Sequence, residues 1–254
     1  MVNFKFIYPD IGSKTRLAAT TAAGQTSADN LEIGPRRKFW KGASAATSCE
    51  FDYDYGSGVT KQPTHLVIAD AHLARIRDSA AITVSLIGDS SSAFATTPET
   101  ETDTYDLTDL VGPDEYDFVL PCSFATAFRY FRAKIQSTDS ITHEMSKIYF
   151  CEAFDLGREP VYTSRSEIMT SALHTKSARL AYYLRFEGIT DEKKAAFMST
   201  IDPIIDVSPI FIYDSVDYVL DGYKLLHCII TSADWSDVEQ YGQNNLDLVL
   251  EQVI

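Results

Sequence analysis

The sequence predicts a mainly β protein built from two antiparallel β-sandwich domains. One observation is that short runs of apolar residues, several of them alternating with polar ones, recur along the chain between clusters of Gly, Pro, Ser and Asp. The other is a change of pattern near residue 158, after which a strand is followed by a helix and a hairpin. We therefore expect an N-terminal strand or arm over 1–28, one sandwich over 29–158, and a second sandwich with one α-helix over 159–254.

Five segments of the first sandwich have the composition of strands. Each is rich in β-branched or aromatic residues, and turn residues separate several of them. The clearest is AFRYFRAKI, in which Phe131, Ala133 and Ile135 share one strand face. The predicted strands are 64–69, 81–88, 116–121, 127–135 and 146–154.

The stretch CEFDYDYGSGVTKQPTHLVIADAHL (49–73) concentrates cysteine, aspartate and histidine and raises the question of a metal or catalytic site. His65 and His72 are separated by a strand end, a spacing that does not bring two ligands to one strand face. From Cys49 to Tyr55, apolar or aromatic residues alternate with acids, which is typical of a half-buried strand. We interpret the stretch as two strands with polar faces.

The second half begins with SARLAYYLRFEG (177–188), a strand with strict alternation. A helix is expected over 191–201, because Thr190 is a suitable N-cap, acids fill the first turn, and Pro203 ends it. Further strands follow, with a type I′ turn expected at Asp221-Gly222. The last strand is predicted to direct Leu246, Leu248 and Leu250 inward.

Composition excludes several classes of function. The formal net charge of −14 argues against nucleic-acid binding, which requires a basic surface. The sequence has no apolar run long enough to span a membrane. Its first residues lack the basic and apolar regions of a secretory signal, so we expect synthesis and folding in the cytoplasm.

The chain carries no recognisable catalytic motif. It contains no G-x-S-x-G, no H-E-x-x-H and no glycine-rich phosphate loop, so we expect no enzyme activity and no cofactor. His227 and Cys228 are adjacent in a predicted strand and point to opposite faces, so they do not form a nucleophile–base pair. The four cysteines lack metal-ligand spacing and are expected to be reduced and metal-free.

Charge is unevenly distributed along the chain. Segment 98–117 carries eight carboxylates, and no Lys or Arg occurs between Arg77 and Arg129. We interpret this segment as a solvated loop with acidic strand edges. The alternative is a calcium site, although no EF-hand spacing is present. The polar segment 12–47 contains a basic cluster, whose charge is opposite to that of segment 98–117. The candidate interface residues come from these two segments and are Arg36, Arg37, Lys38, Lys41, Glu99, Glu101 and Asp103.

Several segments together resemble the discoidin-like (galactose-binding-like) jelly rolls found in tail-region proteins of tailed bacteriophages. They are DNLEIG, KFWKG, FDYDYG, PTHLVIADAHL, FRYFRAKI and SKIYFCEAF, within residues 29–155. In that family the glycine turn leads into the strand HLVIA, and RYFRAKI is the paired core strand. Residues 160–254 are similar in element order to tail tube and distal tail proteins.

This resemblance implies a structural subunit of a phage tail tip, located in the virion and contacting other tail proteins. Opposite charge patches on one chain give head-to-tail contacts, which close into rings. We therefore expect a cyclic homo-oligomer, six-fold or three-fold, unless the charges pair within one chain.

The alternative function is a host-glycan adhesion module, for which the candidate aromatic residues are Trp40, Tyr53, Tyr55 and Trp235. A third possibility is an accessory domain of a cellular hydrolase.

Overall fold

The computed structural model describes residues 4–9, 14–21, 28–31, 39–69, 81–96, 98–106, 118–172, 175–205, 210–214, 225–238 and 243–252. All the strand pairs described within either compact unit of the chain are antiparallel, which confirms the predicted mainly β class. The chain divides into two compact units. We call residues 10–152 the sandwich unit, and residues 1–9 with 153–254 the sheet–helix unit.

The sandwich unit contains two main sheets. The first has five strands in the order β2-β4-β9-β6-β7. The second consists of β11, β5 and β8, and a short pair, β3 and β10, lies outside both sheets. The strands are β2 Thr15–Ala19, β3 Trp40–Lys41, β4 Ala46–Asp54, β5 His65–Ala69, β6 Ala81–Asp89, β7 Glu99–Asp106, β8 Phe118–Pro121, β9 Tyr130–Ile141, β10 Glu144–Met145 and β11 Lys147–Phe154.

Aromatic side chains join the two sheets of this unit. The ring of Tyr53 on β4 meets Phe150 on β11 edge-to-face, with centroids 5.0 Å apart. Phe131 on β9 lies 5.8 Å from the same Phe150 ring. All three are fully buried, as the two-residue period of their strands predicts.

The interpretation of 49–73 as two strands is confirmed for β4 and β5, whereas Asp70 and His72 lie outside the described residues.

The sheet–helix unit contains one six-stranded sheet among its described residues, in the order β12-β13-β16-β15-β14-β1. The one α-helix among these residues, α1, spans Asp191–Thr200, and the side chain of Thr190 caps it by accepting a hydrogen bond from the backbone of Lys193. Phe197 of α1 packs on Phe6 with ring centroids 5.8 Å apart. The strands are β1 Phe4–Pro9, β12 Tyr162–Ala172, β13 Thr175–Thr190, β14 Ile210–Asp214, β15 Leu225–Val238 and β16 Gln243–Gln252.

The region 1–28, expected as an N-terminal strand or arm, contains two strands. Strand β1 pairs with β14, and β2 pairs with β4, so two parts of this region are integral sheet strands. The change of unit falls between Glu152 and Ala153. The first part of the acidic segment 98–117 forms strand β7, and the rest of it, from 107, lies outside the described residues. The turn expected at Asp221-Gly222 also lies outside them.

Gly88 on β6 provides a test of the packing between β6 and the loop before β9. A Cβ atom added there would lie 2.5 Å from the ring carbon Cδ2 of Phe128, which is itself buried. We expect Gly88→Ala to lower the free energy of unfolding by about 1–3 kcal/mol through overpacking. The control is Gly42→Ala, whose Cβ would make only ordinary contacts. Urea unfolding measures both, and equal midpoints for the two variants would contradict this packing.

Candidate binding site

The strand registers define two ends of the sandwich unit. At one end lie Thr15, Asp54, His65 and Cys151, because Thr15 pairs with Asp54 and Cys151 with His65. The polypeptide therefore enters β2 and approaches the end of β11 on this side, which we call the proximal end. At the other end Ala46 pairs with Ile141 and Lys147 with Ala69. We call this the distal end.

A cleft of about 370 Å³ lies at the distal end. It is formed where β9 ends and the chain turns into β10. The two-residue strands β3 and β10 pair there, and their register places Lys41 opposite Glu144. The lining residues are Lys41, Ala45, Asp139, Ser140, Ile141, Thr142 and Glu144.

The charged groups of the cleft differ in exposure. The Lys41 Nζ lies 3.3 Å from the Glu144 Oε2, and the Glu144 side chain is only 10% exposed. A carboxylate at this depth requires a cation or hydrogen-bond donors to remain charged, and Lys41 supplies the charge. Asp139 and Ser140 are exposed at the rim, and Thr142 is half-buried.

A buried histidine lies in the chain segment that forms the cleft. His143 is 2% exposed, and its Nε2 is 3.4 Å from the Oγ of Ser137. Its backbone carbonyl accepts a hydrogen bond from the backbone N–H of Gly42 at 2.9 Å, which fixes β10 against the residue after β3. Burial lowers the pKa of His143 to about 4, so its imidazole is neutral near pH 7.

The cleft is chemically suited to hold a polar ligand by hydrogen bonds. A carboxylate accepts, an ammonium donates, and the hydroxyls of Ser140 and Thr142 do both. Its volume falls within the range of small-molecule sites. Among the described residues, no group of three or more His, Cys, Asp or Glu could hold a metal ion.

Three of the four candidate glycan-binding aromatics are core residues, so their rings are not exposed for stacking on a sugar. Trp40 and Tyr53 are fully buried, and Tyr55 is 3% exposed. Trp40 packs edge-to-face on Phe51 with centroids 4.9 Å apart. The physical reason is that Tyr53 occupies an inward position of β4, and Tyr55 continues the same alternation just past the end of the strand.

Trp235, the fourth candidate, is partly buried in the sheet–helix unit. Its ring lies 5.5 Å from that of Phe197 and carries the Lys194 ammonium 5.5 Å above it. Trp235 therefore packs against α1 with its ring partly covered, and a role for it in glycan binding stays a prediction.

The candidate interface acids are largely committed within the chain. Glu99 accepts hydrogen bonds from the backbone of Ala125 at 2.7 Å and the hydroxyl of Thr126 at 3.3 Å. Glu101 accepts from both the backbone and the hydroxyl of Ser123 at 3.1 Å. These carboxylates hold the loop before β9 against the edge strand β7, which explains why acids recur there.

The remaining interface candidates have different positions. Asp103 accepts a hydrogen bond from the backbone of Thr104 at 2.8 Å on the exposed part of β7. Lys41 lies in the cleft, paired with Glu144. Arg36, Arg37 and Lys38 lie outside the described residues.

Of the residues that line the cleft, sequence reasoning singled out Lys41 alone, as an interface candidate, and missed the others. Glu144 belongs to a strand of two residues, which is too short to show periodicity. The segment STDSITHE (137–144) gives a polar signal but nothing that separates a rim residue from a buried one.

The cysteines are free thiols, three of them buried. Burial raises the pKa of Cys122 to about 12 and raises those of Cys49 and Cys228 further, so these thiols stay protonated and unreactive.

No helix in the described ranges is both long enough and apolar enough to cross a membrane.

No family model matches the sequence, and no curated protein matches it. Three solved structures show the level of similarity. The carbohydrate-binding module CBM62 of Clostridium thermocellum Xyl5A is 19% identical, with a TM-score of 0.41 over 57% of this chain and 97% of that one. A mutant Ruminococcus gnavus GH29 fucosidase in complex with fucose is 11% identical, with a TM-score of 0.42 over 57% of this chain and 26% of that one. A truncated AlyQ with CBM32 and alginate lyase domains is 11% identical, with a TM-score of 0.38 over 98% and 91%. Likeness this distant does not bear on what this chain binds.

The neutral His143 predicts a pH dependence of stability. Its pKa is lower in the folded than in the unfolded chain, so protons bind the unfolded state more tightly and stability falls as the pH drops below 6.5 towards 4. Between pH 7 and pH 5, protonation of this group should lower the free energy of unfolding by about 2 kcal/mol. We expect His143→Gln to remove that part of the decrease in urea-unfolding experiments. An unchanged difference between the two pH values would contradict the assignment.

Proposed function

We propose that the protein is a non-catalytic recognition module whose sandwich unit binds a glycan in the distal-end cleft. The observation that carries this proposal is the ion pair between the half-buried Lys41 and the buried Glu144, which lines a cleft whose rim bears Asp139 and the hydroxyl of Ser140. The chemistry of the ligand follows from these groups.

A sugar matches the cleft because each hydroxyl donates one hydrogen bond and accepts others. The Glu144 carboxylate accepts from a sugar hydroxyl while the Lys41 ammonium donates to its neighbour, so one ion pair can hold two adjacent hydroxyls. At about 370 Å³ the cleft suits roughly one or two sugar rings.

Position also supports binding at the distal end. The chain enters β2 and approaches the end of β11 at the proximal end, whereas the cleft lies at the opposite end of the sandwich unit.

The described cleft lining contains no aromatic residue. Binding by hydrogen bonds alone in an open cleft is weak, so we expect a dissociation constant near 1 mM for one site and a gain from multivalent display.

A structural role in a phage tail tip is the second candidate. Its support is the resemblance described above, which joins a jelly roll to a second β domain with one helix. In this proposal the chain is made in the host cytoplasm, assembles as a six-fold or three-fold ring in the virion, and contacts other tail proteins. Glu99 and Glu101, two acids of the patch that was expected to join copies, accept hydrogen bonds from the loop before β9. Negative-stain images of the purified protein separate rings from single particles.

Two substitutions test glycan binding at the cleft. Glu144→Gln keeps the size of the side chain and removes its charge, and Lys41→Met removes the ammonium. Because hydrogen bonds to charged groups contribute about 1.5–3 kcal/mol, each variant should bind a glycan selected on an array about 10–100-fold more weakly. The measurement is titration calorimetry.

Glu187→Gln is the matched control, since Glu187 is also ion-paired, with Arg185 at 3.2 Å, but lies in the sheet–helix unit. It should leave the affinity unchanged. Equal affinity of wild type and Glu144→Gln for the selected glycan, or no binding to any glycan, would overturn the proposal.

A further inference from the structure

The outer face of the five-stranded sheet carries two adjacent columns of opposite charge. The acids project from β4, and the bases come from β9 and the residue just before it. Glu50 meets Lys134 at 3.1 Å and Asp52 meets Arg132 at 2.6 Å, each pair directly opposite across the two strands, and Asp54 meets Arg129, the residue before β9, at 2.6 Å.

The arginines in these columns are held rigidly. Arg132 and Arg129 each donate two hydrogen bonds to a single carboxylate, that of Asp52 and that of Asp54 respectively. The ring of Phe94 lies 4.5 Å from the Arg132 guanidinium. Hydrogen bonding by Arg129 lowers the pKa of Asp54, so this row stays charged well below neutral pH. Groups fixed in this way lose little freedom when a partner binds.

This face is electrically balanced in a strongly acidic chain. The columns contain three acids and three bases, whereas the whole sequence has 36 acids and 22 bases. The Glu50–Lys134 pair is partly accessible, with side-chain exposures of 36% for Glu50 and 26% for Lys134, whereas the side chains of Asp52 and Asp54 are 12% and 15% exposed. A balanced face avoids the repulsion that the net charge of −14 would otherwise place between two copies.

We propose that this face binds the same face of a second copy through a two-fold axis. Consider an axis that runs parallel to the strands between β4 and β9. Rotation about it exchanges the two columns and keeps each row at its own height. The partner's acids then lie over the bases of the first copy, and its bases over the acids. A face with this property is self-complementary, as a two-fold interface requires.

The area is sufficient for a weak, specific dimer. Such stacking overlaps four strands, about 20 Å across and about 30 Å long, so it buries about 600 Å² from each copy and about 1,200 Å² in total. That is the lower limit of standard interfaces, so we expect association in the micromolar range or weaker. This closed contact differs from the head-to-tail contact expected from the sequence.

Charge reversal in the Glu50 row gives a sharp experiment. Glu50→Lys makes that row entirely basic, and Lys134→Glu makes it entirely acidic, so each variant alone should dimerise about tenfold or more weakly in analytical ultracentrifugation. An equimolar mixture restores opposite charges across the axis and should form heterodimers. The double variant Glu50→Lys with Lys134→Glu should dimerise like the wild type.

Glu187→Lys, a reversal in the sheet–helix unit, is the control and should leave the association unchanged. Thermal unfolding of each variant checks that the sandwich unit remains folded, and the double variant keeps the row paired within the chain. A wild type that stays monomeric at millimolar concentration overturns the proposal. So does a mixture that associates no better than the single variants, or a Glu50→Lys variant that changes only glycan binding.

Discussion

The two-residue alternation of β4 is the constraint on which most of the sandwich unit depends. Its inward positions place Phe51 and Tyr53 in the core, where Tyr53 meets Phe150 of the other sheet. Its outward positions place Glu50, Asp52 and Asp54 in one column beside the bases contributed by β9 and Arg129. A shift of one residue would bury three carboxylates and expose the aromatic core, so register, core and surface charge are fixed together.

Acidic side chains serve the fold in a second way, as acceptors for the backbone of loops. Asp89 is fully buried and accepts from the backbone of Ser91 and Thr96, both at 3.1 Å. This ordered turn holds Phe94 at a φ of 51°, a conformation that bulky residues rarely adopt, with its ring on Arg132. Glu99 and Glu101 hold the neighbouring loop. Part of the chain's large negative charge is therefore structural.

The strands with clear alternation and the capped helix could be predicted from the sequence because one periodicity or cap determines each of them. The cleft could not, because β3 and β10 contain two residues each and their pairing spans about a hundred positions. Trp40 shows a second limit, since residue type does not distinguish an exposed sugar platform from a core side chain. The two charge columns required the register of β4 and β9, which only the structure supplies.

The central claim is that the sandwich unit recognises its ligand at the distal end, and locating a bound glycan on the protein tests it most directly. Backbone amide NMR spectra of the whole chain should be recorded during titration with the glycan selected on the array. The account predicts that the shifted amides cluster at Lys41, Gly42 and residues 140–144, with the strands of the outer face unchanged. Shifts confined to β4 and β9, or to the sheet–helix unit, would contradict it.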